Sequence, residues 1–142
     1  MFDSTHLHPM TVHFPIVLII LGFLFETYSM FFGKKEACLS KIGFYFMVIG
    51  TLAAVCAFFT GDLFTEELKG KAGDLEEAHE LFAKITMFLM IAATLLRSYI
   101  FFIKKENSWG KWLSYILYAI AAISVGITGL LGGTLVYNYM IR

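Results

Sequence analysis

His8-Pro9-Met10-Thr11-Val12-His13-Phe14-Pro15 stands at the head of an apolar run that continues through Ile16, Val17, Leu18, Ile19, Ile20 and Leu21. Proline in the first turn of a helix loses no hydrogen bond, and its fixed φ favours the helical start. Pro15 therefore predicts a helix beginning beside His13. The protein has four histidines, and His6, His8 and His13 all fall in this opening stretch. The fourth, His79, stands just ahead of another apolar run that starts at Leu81.

A helix needs roughly 20 apolar residues to cross a bilayer core. Four stretches meet that length, 14–32, 42–60, 81–103 and 113–137. The composition agrees: 58% of the 142 residues are hydrophobic and 15% are charged, whereas soluble domains carry about 25% charge. The expected fold is all-α, one integral membrane domain of four helices in contact with the lipid bilayer. No basic n-region or small-residue cleavage site precedes the first run, so it is expected to stay as a spanning helix. The formal net charge is zero, which argues against nucleic acid, since phosphate binding needs a basic surface.

Loop charges predict the orientation, because Lys and Arg in short loops remain cytoplasmic. Lys34, Lys35 and Lys41 follow the first run, and Lys104, Lys105 and Lys111 follow the third. Asp62, Glu66, Glu67, Asp74, Glu76 and Glu77 dominate the loop between runs two and three. Both termini are thus expected outside the cytoplasm, with Trp109 and Trp112 in the inner interfacial belt.

An internal echo suggests two repeated hairpins. Phe31-Phe32-Gly33-Lys34-Lys35-Glu36 parallels Phe101-Phe102-Ile103-Lys104-Lys105-Glu106 at an offset of 70, and Thr60-Gly61 parallels Thr128-Gly129 at an offset of 68. A parallel repeat has its pseudo-twofold axis along the membrane normal. On that axis His13 and His79 become near-equivalent, at the outer ends of helices one and three.

Two imidazoles facing each other at one depth are what six-coordinate haem iron requires, each with its second ring nitrogen held by a hydrogen-bond partner. Asp62, Glu76, Glu77 or a carbonyl are candidate partners. Small residues offer room for a flat ring: Gly50, Ala54, Ala57 and Gly61 on helix two, and Ala119, Ala122, Gly126, Gly129 and Gly133 on helix four, each set on one helical face. Such stripes also serve close helix packing. Haem b between His13 and His79 beside Gly129 and Gly133 is the leading expectation, with His8 as the reserve ligand. Glu26 and Arg97, deep in runs one and three at matching depth, are expected to form an ion pair, since a lone intramembrane charge costs at least about 2.5 kcal/mol.

His6, His8, Met10 and His13 mix imidazole with thioether, a set that suits copper. No hydrolase triad, metalloprotease motif or phosphate-binding loop is present. The chain reads as an electron-transfer or structural subunit more than as a stand-alone enzyme. An assembly role, with the stripes as docking faces in a homodimer or larger membrane complex, is the alternative. Cys38 and Cys56 read as free thiols.

The opening string His8 to Ile16, followed by His79 and by Gly132-Gly133-Thr134-Leu135-Val136-Tyr137, resembles the predicted membrane proteins of domain-of-unknown-function family 2231. The resemblance covers nearly the whole chain and rests mainly on H-P-x-x-V-H-F-P. It implies a four-helix module of the bacterial inner membrane. Relatives joined to Rieske or c-type cytochrome domains imply electron transfer near the outer face, with a redox protein or quinone as partner.

Overall fold

The computed structural model describes residues 11–32, 37–64, 70–103 and 108–140, with side chains described throughout except at 37, 62–64, 108 and 140. Four helices account for nearly all of it: α1 (His13–Phe31), α2 (Ala37–Phe64), α3 (Lys71–Ile103) and α4 (Ser108–Leu135). A short π-helical turn, Val136–Met140, ends the described chain. Each of the four helices is long and apolar enough to cross a membrane, and no strand occurs among the described residues. The protein is an all-α membrane four-helix bundle.

Helix α3 starts at Lys71, well ahead of the apolar stretch that opens at Leu81. At about 1.5 Å per residue its 33 residues span about 50 Å, against an apolar bilayer core of about 30 Å. The added turns persist because one face still points inward. Ala72 is buried, and Leu75, His79 and Phe82 are half-buried at the three-and-four spacing of one helical face. Gly70, with φ of +69°, sets the turn before this helix, a conformation open to glycine at little cost.

The helices pair as two hairpins. α1 packs most extensively with α2, and α3 with α4, while α2–α3 and α1–α4 meet over less surface. α1 and α3 therefore lie across the bundle diagonal. Ile19, Met47, Ala54, Met90, Ala93, Tyr118, Ala121 and Val125 form the buried core. Large apolar side chains such as Phe14, Leu24, Phe88, Leu95 and Ile123 are exposed on the outside. That inversion of the soluble pattern suits a lipid surround, in which helix contact depends on close fit and hydrogen bonds rather than on expelling water.

Glycine makes the α1–α2 fit possible. A Cβ placed on Gly50 would lie 3.1 Å from Ile19 Cγ1, and one on Gly22 would lie 2.8 Å from Phe46 Cβ and would overlap the Tyr118 hydroxyl. The α4 stripe behaves differently. Gly129 is covered by Ile16, whose Cδ1 would be 3.1 Å from an added Cβ, whereas Gly126 and Gly133 have nothing within 4 Å. Overpacking a tight contact costs about 1–3 kcal/mol, while alanine in place of an unconstrained helical glycine gains roughly 0.5–1 kcal/mol. Gly22→Ala is thus expected to lower the unfolding midpoint in detergent and Gly126→Ala to raise it; equal effects would show that α1 and α2 do not meet at Gly22.

Candidate functional site: the histidine end and the buried ion pair

At one end of the bundle the start of α1 is pinned to the end of α2 by Thr11 and Thr60, whose hydroxyl oxygens are 3.1 Å apart. His13, the first residue of α1, is exposed there. His79 sits in the third turn of α3 and is half-buried. Its Nδ1 is 3.0 Å from the Thr128 carbonyl oxygen of α4. A carbonyl only accepts, so Nδ1 carries the proton and Nε2 is the basic nitrogen of the ring.

The Nδ1–Cε1 edge of the imidazole also packs against α4. A Cβ on Gly132 would come within 3.0 Å of His79 Cε1 and 3.2 Å of Nδ1. Gly132 is therefore the seat of the His79 ring. Ile16 rests on Gly129 of the same helix, and His13 is one turn further out than Ile16. Since α1 and α4 run antiparallel, His13 comes level with His79 to within about one helical turn.

An imidazole whose Nδ1–H is held by a carbonyl has the orienting contact that metal-bound histidines use. Of the partners anticipated for that role it is a carbonyl, from α4. The small-residue stripe does not supply room along its whole length, because Ile16 covers Gly129. Open space at this end lies beside Gly133, which is exposed. Among the described residues no cluster of three or more His, Cys, Asp or Glu is placed to hold a metal. The copper set cannot be followed further, since His6, His8 and Met10 lie outside the described residues, as does the reserve-ligand role of His8. Cys38 and Cys56 are free and exposed.

Toward the other end, Arg97 Nη2 lies 2.6 Å from Glu26 Oε1, with side-chain exposures of only 14% and 10%. Arg97 Nη2 also donates to Ser40 Oγ at 3.3 Å. Gly43 makes the space: a Cβ there would lie 3.2 Å from Glu26 Oε2 and 3.1 Å from the Glu26 backbone nitrogen. Three side-chain atoms in this region, Glu26 Oε2, Arg97 Nε and the Tyr118 hydroxyl oxygen, are buried without a hydrogen-bond partner. Below them Phe31, Trp112 and Tyr115 make edge-to-face contacts at centroid distances of 5.9–6.1 Å. This is an aromatic cluster of the kind found at membrane interfaces.

Hydroxyls inside the apolar runs tie helices together between these ends. Thr51 and Thr94 oxygens are 2.7 Å apart across α2 and α3. Thr86 Oγ1 donates to Ser124 Oγ at 2.9 Å, and Ser114 Oγ donates to the Ala93 carbonyl at 3.1 Å. The sequence reading passed over these residues, together with Gly22, Gly43, Ser40 and Tyr118. One available signal was spacing: Ser114, Tyr118, Ala121 and Val125 repeat at four, three and four, the inward face of α4.

Comparison with known proteins gives the class. The sequence matches the family described as Predicted membrane protein (DUF2231) over residues 4–142, and the chain belongs to that family. No curated protein and no solved structure matches it.

The seat of His79 carries a prediction. In ¹⁵N spectra the His79 ring is expected as the Nδ1-protonated neutral tautomer. Gly132→Ala should disturb that signal by pushing on the ring, and Gly133→Ala should leave it in place; an Nε2-protonated ring in the unaltered protein would contradict the bond to Thr128.

Proposed function

We propose that the protein is a small b-type cytochrome, or haem-binding electron-transfer subunit, of the bacterial inner membrane. His13 and His79 would hold the haem iron at the end of the bundle where α1 and α3 begin, and both termini would lie outside the cytoplasm. The observation that carries this reading is the His79 Nδ1 contact with the Thr128 carbonyl at 3.0 Å. It fixes one tautomer and one ring orientation, and makes Nε2 the basic nitrogen of the ring.

A bound haem supplies one-electron transfer without proton chemistry of its own. What this chain contributes is position. Gly132 and Thr128 hold one imidazole, while the Thr11–Thr60 contact and the Ile16–Gly129 contact hold the start of α1 against α2 and α4. A redox protein or a quinone is the partner class that such a subunit serves. The exposed position of His13 at the bundle end suits a cofactor near the membrane surface, where such a partner reaches it.

Protein produced with supplied haem and purified in detergent is expected to show a Soret band and a sharp α band on reduction, with stoichiometric iron. His79→Ala and His13→Ala should each abolish the low-spin spectrum. A purified protein without a Soret band, or one whose spectrum survives both substitutions, overturns the proposal. A colourless protein that co-purifies with a membrane complex would favour the assembly role instead, and copper without iron would favour the amino-terminal His/Met set.

A further inference from the structure

The region around the ion pair brings together polar groups from all four helices: Glu26 of α1, Ser40 of α2, Arg97 of α3 and Tyr118 of α4. Glu26 Oε1 and one Arg97 nitrogen satisfy each other, and Ser40 accepts from the same nitrogen. Glu26 Oε2, Arg97 Nε and the Tyr118 hydroxyl are left buried without partners. Glu26 and Tyr118 are 7% and 0% exposed. Buried polar atoms in native proteins are nearly always paired, with protein or with ordered water, and an orphan costs about 1–3 kcal/mol.

The orphans form a complementary set. Arg97 Nε–H and Tyr118 O–H are donors, and Glu26 Oε2 is an acceptor. The Tyr118 oxygen is pressed onto Gly22, one helical turn before Glu26 on the same face of α1. A neutral ligand that accepts two hydrogen bonds and donates one satisfies all three. An anion would face the Glu26 carboxylate, a cation the Arg97 guanidinium, and a larger neutral molecule would find Gly22 and Gly43 already filled by the Tyr118 and Glu26 side chains. Water meets the requirement, and buried waters typically make about three such bonds.

We propose that Glu26, Arg97 and Tyr118 bind one internal water molecule, which ties α4 to the ion pair and completes a polar joint made by all four helices. The proposal is independent of what binds at the histidine end. It also gives the buried carboxylate an exchangeable neighbour.

Tyr118→Phe keeps the ring and removes one donor, so it separates the alternatives. If the hydroxyl were a dry orphan, its removal would raise the unfolding midpoint or leave it unchanged. With water bound, the midpoint falls, while exposed Tyr137→Phe has no effect. The second readout is infrared spectroscopy of the reconstituted protein exchanged between ordinary and ¹⁸O-labelled water. The unaltered protein should show a narrow internal-water O–H band that shifts with the label, and Tyr118→Phe and Glu26→Gln should each lose or displace it. A midpoint that does not fall, or a labelled-water band indifferent to both substitutions, overturns the inference.

Discussion

The bundle depends on a carboxylate and a guanidinium that meet inside a membrane protein. Each alone is costly to bury in a medium of low dielectric, and together they are tolerated only when close and hydrogen-bonded. Glu26 and Arg97 meet at 2.6 Å with little exposure, on α1 and α3, the two helices that face each other across the diagonal. Their contact joins the hairpins where apolar packing between them is sparser. Within each hairpin, glycine and hydroxyl contacts suffice; between hairpins, the ion pair, the Thr51–Thr94 contact and the seating of Ile16 on Gly129 carry the alignment. The level of His13 relative to His79 follows from that alignment, so the geometry of one end rests on electrostatics at the other.

Much of this architecture was legible in the chain. Four apolar stretches and their length gave four helices, and Pro15 marked where the first begins. Glu26 and Arg97 stood out because a charge in an apolar run needs a partner, and equal depth on parallel helices made each the natural partner of the other. A carbonyl was among the partners expected for His79, but that it is the one of Thr128 was not legible, because a backbone group of another helix leaves no signature in residue types. The start of α3 at Lys71 was obscured for a related reason. Hydropathy reports where lipid begins, whereas a helix with one inward face, here Ala72, Leu75 and His79, continues past that boundary.

The glycines show where spacing alone runs out. Gly126, Gly129 and Gly133 share a face of α4, and the pattern suggested one continuous slot. In the structure only Gly129 of the three meets a neighbour, Ile16, and Gly132, outside the pattern, receives the His79 ring. Gly22 and Gly43 belong to neither stripe, yet they accommodate Tyr118 and Glu26. Close approach is decided by what the opposing helix presents, and a single helix does not encode it. Tyr118 illustrates the same point: its ring reads as core by periodicity, and its hydroxyl becomes informative only when Gly22 and Glu26 are seen beside it.

The claim that the two hairpins are held in register by the buried pair is tested most directly by a double-mutant cycle at Glu26 and Arg97, read as unfolding free energy in detergent. Removing one partner of a buried pair typically costs about 3–5 kcal/mol because the other charge is stranded. Arg97→Met and Glu26→Gln are each predicted to be strongly destabilising and the double substitution much less so than their sum, a coupling of about 2–3 kcal/mol. Additive effects, with the double variant as destabilised as the singles combined, would contradict the account.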